Sequence, residues 1–132
     1  MTLFNAIGVA GTGVTVYRKW LDAVSDNIAN INTVRSTDQA AFQARYVVAR
    51  EAGENQGVQV GGVALGSAEG RLVYDPTNPL ADEGGYVRMP DIDLGSQMTQ
   101  MIMAQRGYQA NLTVIDRAKD AYQAALGIGR GA

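Results

Sequence analysis

The carboxylates of the central segment are the first side chains whose types and spacing suggest chemistry, because paired acidic residues carry out hydrolysis in glycosidases. Asp75, Asp82 and Glu83 lie within the stretch DPTNPLADEGG. Prolines and glycines surround them, and Tyr74 and Tyr86 are the only aromatic residues nearby. This setting favours turns and surface charge over a hydrolytic cleft.

A second acidic motif, DIDLG, holds Asp91, Asp93 and Gly95 in an order similar to the start of a calcium-binding loop. The remaining ligands and the closing glutamate of such a loop are missing. The motif instead precedes a segment with helical spacing, where aspartate commonly caps the first turn. The sequence therefore predicts a helix cap at Asp91 or Asp93 and no metal site.

Three other patterns are better explained by structure than by chemistry. The run GVAGTG, Gly8 to Gly13, lacks the preceding strand and the Lys-Ser or Lys-Thr of a phosphate-binding loop, and Val16 stands at the third glycine position of GxGxxG. The glycosylation pattern NLT at Asn111 lies on a helical face. Methionines at helical spacing predict adaptable packing and no cofactor; they are Met98, Met101 and Met103.

The composition narrows the possible functions further. The 132 residues include no cysteine and no histidine, which excludes disulfides, thiolate metal sites and histidine general bases. The net charge is −2 and the basic residues do not cluster, which disfavours a nucleic-acid surface. No window approaches the roughly 18 apolar residues that span a bilayer, and the start lacks the basic segment of a secretory signal. We expect no catalytic residue, no membrane insertion and, if the chain is exported, export without a cleaved signal peptide.

The N-terminal segment has the apolar spacing of a long helix with a wide buried face. Because two adjacent rows exceed what one partner helix needs, we expect neighbours on more than one side. Gly8, Gly11 and Gly13 each cost about 0.5–1 kcal/mol relative to alanine, so this helix depends on packing. The first row is Leu3, Ile7, Ala10, Val14, Tyr17, Leu21, Val24, Ile28 and Ile31, and the second is Val9, Gly13, Val16, Trp20, Ala23, Asn27 and Asn30.

The C-terminal segment repeats this rhythm. Gly127 and Gly129 are the expected helix stop. At about 1.5 Å per residue, each terminal helix should be on the order of 45–50 Å long, and matched lengths suggest an antiparallel pair. The row is Gln97, Met101, Ala104, Tyr108, Asn111, Ile115, Ala118, Tyr122 and Ala125, widened by Leu94, Met98, Leu112 and Leu126.

Between the helices, FQARYVVAR and GVQVGGVAL alternate in the manner of short strands, and the following stretch contains all three prolines. We therefore predict a mainly α fold: two long helices paired as an antiparallel, coiled-coil-like hairpin, with a small β-hairpin or extended middle. The prediction is one domain over residues 1–132, with the N-terminal helix in residues 1–34, the β-like segment and arm in residues 35–90, and the C-terminal helix in residues 91–132.

Amides on the helix faces are the candidate recognition residues. The stretch SDNIANINTV places Asn27 and Asn30 at the end of the second row, and a polar residue in an apolar seam can set register and partner choice. Their expected partners are amides or backbone groups of the paired helix or of an adjacent subunit. The alternative is that Asn30 and Asn32 simply end the helix. The candidate assembly interface is Val16, Trp20, Leu21, Val24, Asn27, Ile28, Asn30, Met101, Gln105, Tyr108, Asn111, Ile115 and Tyr122.

Three segments carry a family resemblance. DAVSDNIANINTV and GYQANLTVIDRAKD resemble the paired terminal motifs of flagellar rod and hook proteins. LVYDPTNPLADEGGYVRMPDIDL is similar to the middle of the proximal members of the flagellar basal-body rod family. The chain departs from the family pattern at residues 35–45, where a Gly-Pro turn is often found, at Gly107, where serine is usual, and at Asp91, where asparagine is common.

The resemblance implies a structural subunit of the proximal rod, the axial drive shaft of the basal body. Such a protein is exported uncleaved by the flagellar type III apparatus and polymerises into the rod that crosses the periplasm. Its partners are further copies of itself, other rod proteins and the export apparatus. Its terminal helices pair in the inner tube of the rod, and its middle segment reaches adjacent subunits.

Other functions remain open at this point. The chain is alternatively another axial protein of the rod and hook family, or a soluble coiled-coil adaptor or export chaperone, which would keep stable helices in isolation. An enzyme acting on peptidoglycan through Asp82 or Glu83 is the least favoured alternative. We expect that the protein is not an enzyme and that it binds neither cofactor, metal nor nucleic acid.

Overall fold

The computed structural model describes residues 2–131, so residues 1 and 132 of the predicted domain lie outside the described residues. Two long helices, one at each end of the chain, flank a middle segment in the sequence. The middle segment contains two separate two-stranded antiparallel sheets. The predicted mainly α hairpin with a small β middle is confirmed. In chain order the elements are α1 (Leu3–Ala29), β1 (Arg45–Gly53), β2 (Gly57–Leu65), β3 (Arg71–Tyr74), β4 (Tyr86–Met89) and α2 (Leu94–Gly131).

Side-chain caps set three of the helix boundaries. The hydroxyl of Thr2 accepts a hydrogen bond from the backbone N–H of Asn5 at 3.1 Å and starts α1. Asn30 ends α1, so the helix stops before residue 34. The carboxylate of Asp93 accepts from the N–H of Ser96 at 2.7 Å. Asp93 is therefore the capping residue of the two that the sequence proposed, and α2 begins after it at Leu94.

The expected equal lengths of the two helices are wrong. α1 has 27 residues and α2 has 38, which correspond to about 40 Å and about 57 Å. The expected stop at Gly127 and Gly129 is also wrong, because α2 continues through both to Gly131. A glycine ends a helix by turning into the left-handed region. Neither of these glycines has a positive φ, so the helical hydrogen bonding passes through them.

The helices pack antiparallel along α1. Phe4 near the start of α1 meets Tyr122 edge to face, with ring centroids 5.4 Å apart. Nearer the other end, the indole N–H of Trp20 donates to Oε1 of Gln100 at 3.3 Å. The three most buried α2 residues all belong to the predicted row, and they are Gln97, Ala104 and Ala118.

The β1–β2 hairpin supplies the second neighbour that the wide face of α1 predicted. Its register runs from Arg45 opposite Leu65 to Gly53 opposite Gly57, and a bulge leaves Gly61 unpaired. The hairpin contacts α1 through both strands. Its tip is fixed there because the N–H of Val58 donates to the Thr12 hydroxyl at 3.1 Å.

The β3–β4 ribbon and the loops beside it are joined through Arg88. Its backbone exchanges two hydrogen bonds of 2.8 Å with Arg35. Its guanidinium donates to the carbonyl oxygen of Thr37 at 2.8 Å and to that of Glu69. These bonds, with one from the N–H of Ala41 to Ala68 O at 2.8 Å, define the path of residues 35–45.

The core is built mainly from small side chains. Buried apolar side chains line the helix pair and the junction between the middle segment and α2, and most of them are alanine or valine. Each such residue removes less apolar surface from water than a leucine or phenylalanine would, so the hydrophobic contribution to folding is modest. The buried apolar residues are Ala10, Val16, Val24, Ala41, Ala44, Val87, Ile92, Ala104 and Ala118.

Candidate functional site

The most buried polar group in the described chain joins three elements. Asn27 on α1 is fully buried and Gln97 on α2 is 1% exposed. The Asn27 amide donates to Gln97 Oε1 at 3.0 Å and to the carbonyl oxygen of Arg45 at 2.9 Å. Its Oδ1 accepts from the N–H of Arg45 at 2.8 Å. We call this group, Asn27 with Gln97 and the main chain of Arg45, the Asn27 hub.

The hub fixes where the β1–β2 hairpin leaves the helix pair. Both hydrogens of the Asn27 amide and its oxygen have partners, so a buried polar group carries no unmet hydrogen bond. Arg45 also forms an ion pair with Asp26 at 2.9 Å, but both side chains are more than one-third exposed, so this pair contributes little. The partner of Asn27 is an amide of the paired helix, as expected, together with main-chain groups of β1, which the sequence did not indicate.

Asn30 has a different role from Asn27. Its amide donates to the carbonyl oxygen of Asp26 at 2.9 Å, and its Oδ1 accepts from the Thr33 hydroxyl at 3.2 Å. These are contacts of a residue that closes its own helix. For Asn30 the structure matches the alternative interpretation, that it ends the helix. Asn32 lies in the turn that follows and is exposed.

The two C-terminal amides also differ. Asn111 donates its amide to the carbonyl oxygen of Gly107 in its own helix at 2.8 Å, and its side chain lies against Gly13 of α1. Gln105 is exposed.

The other candidate interface residues fall into three groups by burial. Val16 and Val24 are buried inside the chain, whereas Tyr122 is 41% exposed and contacts Phe4. The half-buried members lie along the helix pair, and they include Leu21, Met101, Tyr108 and Ile115. Much of the predicted face is therefore engaged within the chain itself.

Apolar side chains remain exposed on one face of α2. Leu94, Met98 and Ile102 follow each other at four-residue intervals, which places them on one face of the helix. Their exposed fractions are 48%, 50% and 49%. We call these three residues the α2 stripe. Exposed apolar side chains that line up in this way mark interaction surfaces more often than isolated ones do.

The hairpin leaves a second apolar surface. Val58, Val60, Val63 and Leu65 of β2 are all more than one-third exposed. A cleft of about 380 Å³ lies between the hairpin and the helices, lined mostly by apolar groups of α1 and β2 with Asn111 at one side. The lining contains no carboxylate and no basic side chain, and Tyr17 is the titratable residue in it.

The carboxylates considered for hydrolysis serve local structure. Asp82 accepts hydrogen bonds from the N–H groups of Gly84 and Tyr86, each at 2.9 Å. The Tyr86 N–H is the main reason that the pKa of Asp82 lies below its ordinary value. Asp75 accepts from the Thr77 hydroxyl at 3.0 Å in the same loop. Residues 2–131 contain no group of three or more acidic, histidine or cysteine side chains able to hold a metal ion.

Three residues that shape the helix pair were missing from the candidate interface. Gln97 was recognisable as the head of the α2 row, and Tyr17 as a member of the first α1 row. Gly107 carried no signal as a packing residue, because a helical glycine shows its purpose only once the opposing side chain is placed.

Neither helix described over residues 2–131 has an apolar stretch of the length that a membrane span needs.

Comparison with known proteins gives the class of this protein first. The family model described as the C-terminal region of the flagellar basal-body rod FlgEFG proteins matches residues 83–128. This match covers β4 and most of α2, so on the C-terminal third of the chain the protein is similar to flagellar basal-body rod proteins.

Relatives that match along the whole chain define the family more closely. Flagellar basal-body rod protein FlgC of Salmonella typhimurium is 36% identical over 98% of this chain and 100% of its own length. FlgC of Borreliella burgdorferi is 34% identical over 99% of this chain and 100% of its own length. FlgC of Aquifex aeolicus is 37% identical over 93% of this chain and 94% of its own length. The chain belongs to the FlgC family of flagellar basal-body rod proteins, and its function is that of a structural rod subunit of the basal body.

Proposed function

We propose that the protein builds the proximal part of the rod by self-assembly through its terminal helices. The observation that carries this proposal is the α2 stripe, which stays exposed although the α1-facing row of the same helix is occupied. Because each is about half exposed, covering it fully contributes about 1 kcal/mol, roughly half of the value for a fully exposed apolar side chain. Neighbouring copies and other rod proteins are the partners that would cover them.

The contacts in a rod must be heterologous and must not close into a ring, so one patch on a subunit meets a different patch on the next. The protein offers two distinct apolar patches, the α2 stripe and the exposed face of β2. The half-buried candidate residues border the helix pair, and we propose that the part of each that stays exposed joins the same interface. These residues are Trp20, Leu21, Ile28, Met101, Tyr108 and Ile115.

Export by the flagellar type III apparatus fits the low stability that the core suggests. A chain that passes through a narrow channel must be unfolded on the way. The small buried side chains and the glycines of α1 keep the free energy of unfolding low. We propose that the protein travels with its N-terminus uncleaved and folds into the rod within the periplasm. Mass measurement of the subunit in isolated basal bodies tests this, because a lighter species lacking the N-terminal residues contradicts it.

The proposed role is structural and involves no catalysis, cofactor or nucleic acid. A soluble adaptor or export chaperone is the alternative, and it differs in a measurable way. An adaptor melts cooperatively from a stable helical state as a purified protein. The rod subunit should show weak helicity in plain buffer and gain it when an osmolyte favours burial.

The α2 stripe can be tested by placing charge on it. In cells that lack the native gene, Met98→Glu and Ile102→Glu should each prevent incorporation into isolated basal bodies and abolish swimming. Met103→Glu is the matched control, because Met103 is equally exposed at 55% but points about 100° away from Ile102 around the helix. Normal rods from both stripe variants would contradict the proposed surface. Normal basal bodies without the gene would contradict the rod function itself.

A further inference from the structure

Two glycines of the helix pair each receive a large side chain from the opposite helix. A Cβ built on Gly107 of α2 would lie 2.7 Å from Cδ1 of Tyr17 and closer still to Cε1 and Cζ. A Cβ built on Gly13 of α1 would lie 2.8 Å from Cγ of Asn111. Carbon atoms do not approach this closely without repulsion, so the partner side chains occupy the space where these Cβ atoms would stand.

The two contacts are reciprocal and adjacent. Tyr17 follows Gly13 by one turn of α1, and Asn111 follows Gly107 by one turn of α2. Because the helices run antiparallel, a large residue of α1 faces a glycine of α2 in one layer, and the arrangement reverses in the next. We infer that Tyr17, Gly107, Asn111 and Gly13 form a lock that sets the register of the helix pair, and we call this group the register lock.

Hydrogen bonding and stacking hold both large side chains in position. The carbonyl oxygen of Gly107 accepts the amide of Asn111 at 2.8 Å, so one glycine both receives Tyr17 and orients Asn111 toward Gly13. The Tyr17 ring stacks on Trp20 with centroids 6.0 Å apart and planes 24° apart. The indole N–H of Trp20 in turn donates a hydrogen bond to Gln100 of α2.

A slip of one turn in either direction removes the complementarity. In one direction Gly13 faces Gly107, which leaves a void, and Tyr17 faces Met103. In the other direction Tyr17 faces Asn111, so two large side chains compete for one space. Overpacking and voids both destabilise helix contacts. The native register is also the one that brings Asn27 to Gln97, so the register lock places the Asn27 hub.

The register lock lies within one chain and does not depend on the proposed mode of rod assembly. Since the chain has no cysteine, cysteine pairs can report the register of the purified full-length protein. Phe4→Cys with Tyr122→Cys reports the native register, because these side chains touch. Phe4→Cys with Ile115→Cys or Leu126→Cys reports a slip of one turn in either direction. A short bis-thiol reagent is added in an osmolyte that favours the folded chain.

In the parent, the native pair should crosslink well ahead of both slipped pairs. Adding Gly107→Ala should lower this preference by roughly tenfold. Tyr17→Ala should restore it in the Gly107→Ala background, since the two changes are coupled. Gly11→Ala is the matched control, because a Cβ there meets nothing within 4 Å. The register lock is refuted if Gly107→Ala crosslinks like Gly11→Ala, if Tyr17→Ala restores nothing, or if the parent shows no preference.

Discussion

Replacing Asn27 with alanine should destabilise the fold more than any other single amide substitution in the helix pair. The change removes all three hydrogen bonds of the Asn27 hub: 3.0 Å to Gln97 Oε1, 2.9 Å to Arg45 O and 2.8 Å from Arg45 N. It also leaves a space at a position that is fully buried. The hairpin then loses its attachment to α1 at the base while keeping the one at Thr12.

The size of the effect depends on the surroundings of each partner. Gln97 is 1% exposed, so its carbonyl oxygen loses a partner where water does not reach, which costs about 1–3 kcal/mol. The two hydrogen bonds to the main chain of Arg45 are only partly buried, so water can replace part of each, and each loss costs about 1 kcal/mol. The total is about 4 kcal/mol, a large fraction of the stability of a small domain.

Urea titration of the full-length protein in a fixed concentration of osmolyte measures this loss through helical ellipticity. With a slope of about 2 kcal/mol per molar urea, the midpoint should fall by about 2 M. Asn32→Ala is the control, because Asn32 lies outside both helices and its substitution should stay within about 0.5 kcal/mol. Equal midpoints for Asn27→Ala and Asn32→Ala would refute a structural role for the hub. A cycle with Gln97→Ala should show coupling between the two amides.

Two further predictions concern the middle segment. Gly70→Ala should lower the stability by about 2–4 kcal/mol in the same titration. Gly70 has φ +59°, and a Cβ there would lie 2.6 Å from Cβ of Ala41. Gly62→Ala, where a Cβ meets nothing within 4 Å, should not destabilise the fold. The Asp82–Tyr86 bond should be pH-dependent. Because the folded pKa of Asp82 is lowered, its stabilising effect is present above the ordinary value of 3.8 and is lost as the pH falls through the folded pKa. The amide resonance of Tyr86 should titrate below pH 3.8 and become pH-independent there in Asp82→Asn, and titration above that value would contradict the assignment.

The periodic positions of the helices could be predicted because burial in a helix pair follows the 3.6-residue repeat. Gln97, Ala104 and Ala118 are the buried residues of α2 and all lie on the predicted row. The width of the α1 face likewise predicted a second neighbour. The sequence could not say that this neighbour is the chain's own hairpin, because the hydrogen bonds that hold it, from Val58 to Thr12 and from Arg45 to Asn27, join residues far apart in the chain.

The positions that were predicted wrongly depend on contacts outside the local pattern. Glycine is compatible with a helix stop and with a helix interior, and the choice between them depends on the next residues and on the side chains packed nearby. Gly127 and Gly129 meet no side chain and remain helical. Gly107 carried no signal as a packing residue in the sequence, yet the Tyr17 ring fills the space it leaves. Glycine type alone therefore predicts neither the end of a helix nor a packing contact with the facing helix.

The contacts that select one register of the helix pair are polar or involve glycine, whereas the buried apolar side chains discriminate poorly between registers. The buried apolar side chains are mainly alanine and valine, and such residues tolerate many registers because they are nearly the same size. The Asn27 hub and the register lock reject a slipped pairing, since a shift of one turn breaks a buried hydrogen bond and places a large side chain against another. A larger leucine-rich core would raise the free energy of unfolding. Amides and glycines therefore select a single register of the helix pair without a core of large apolar side chains.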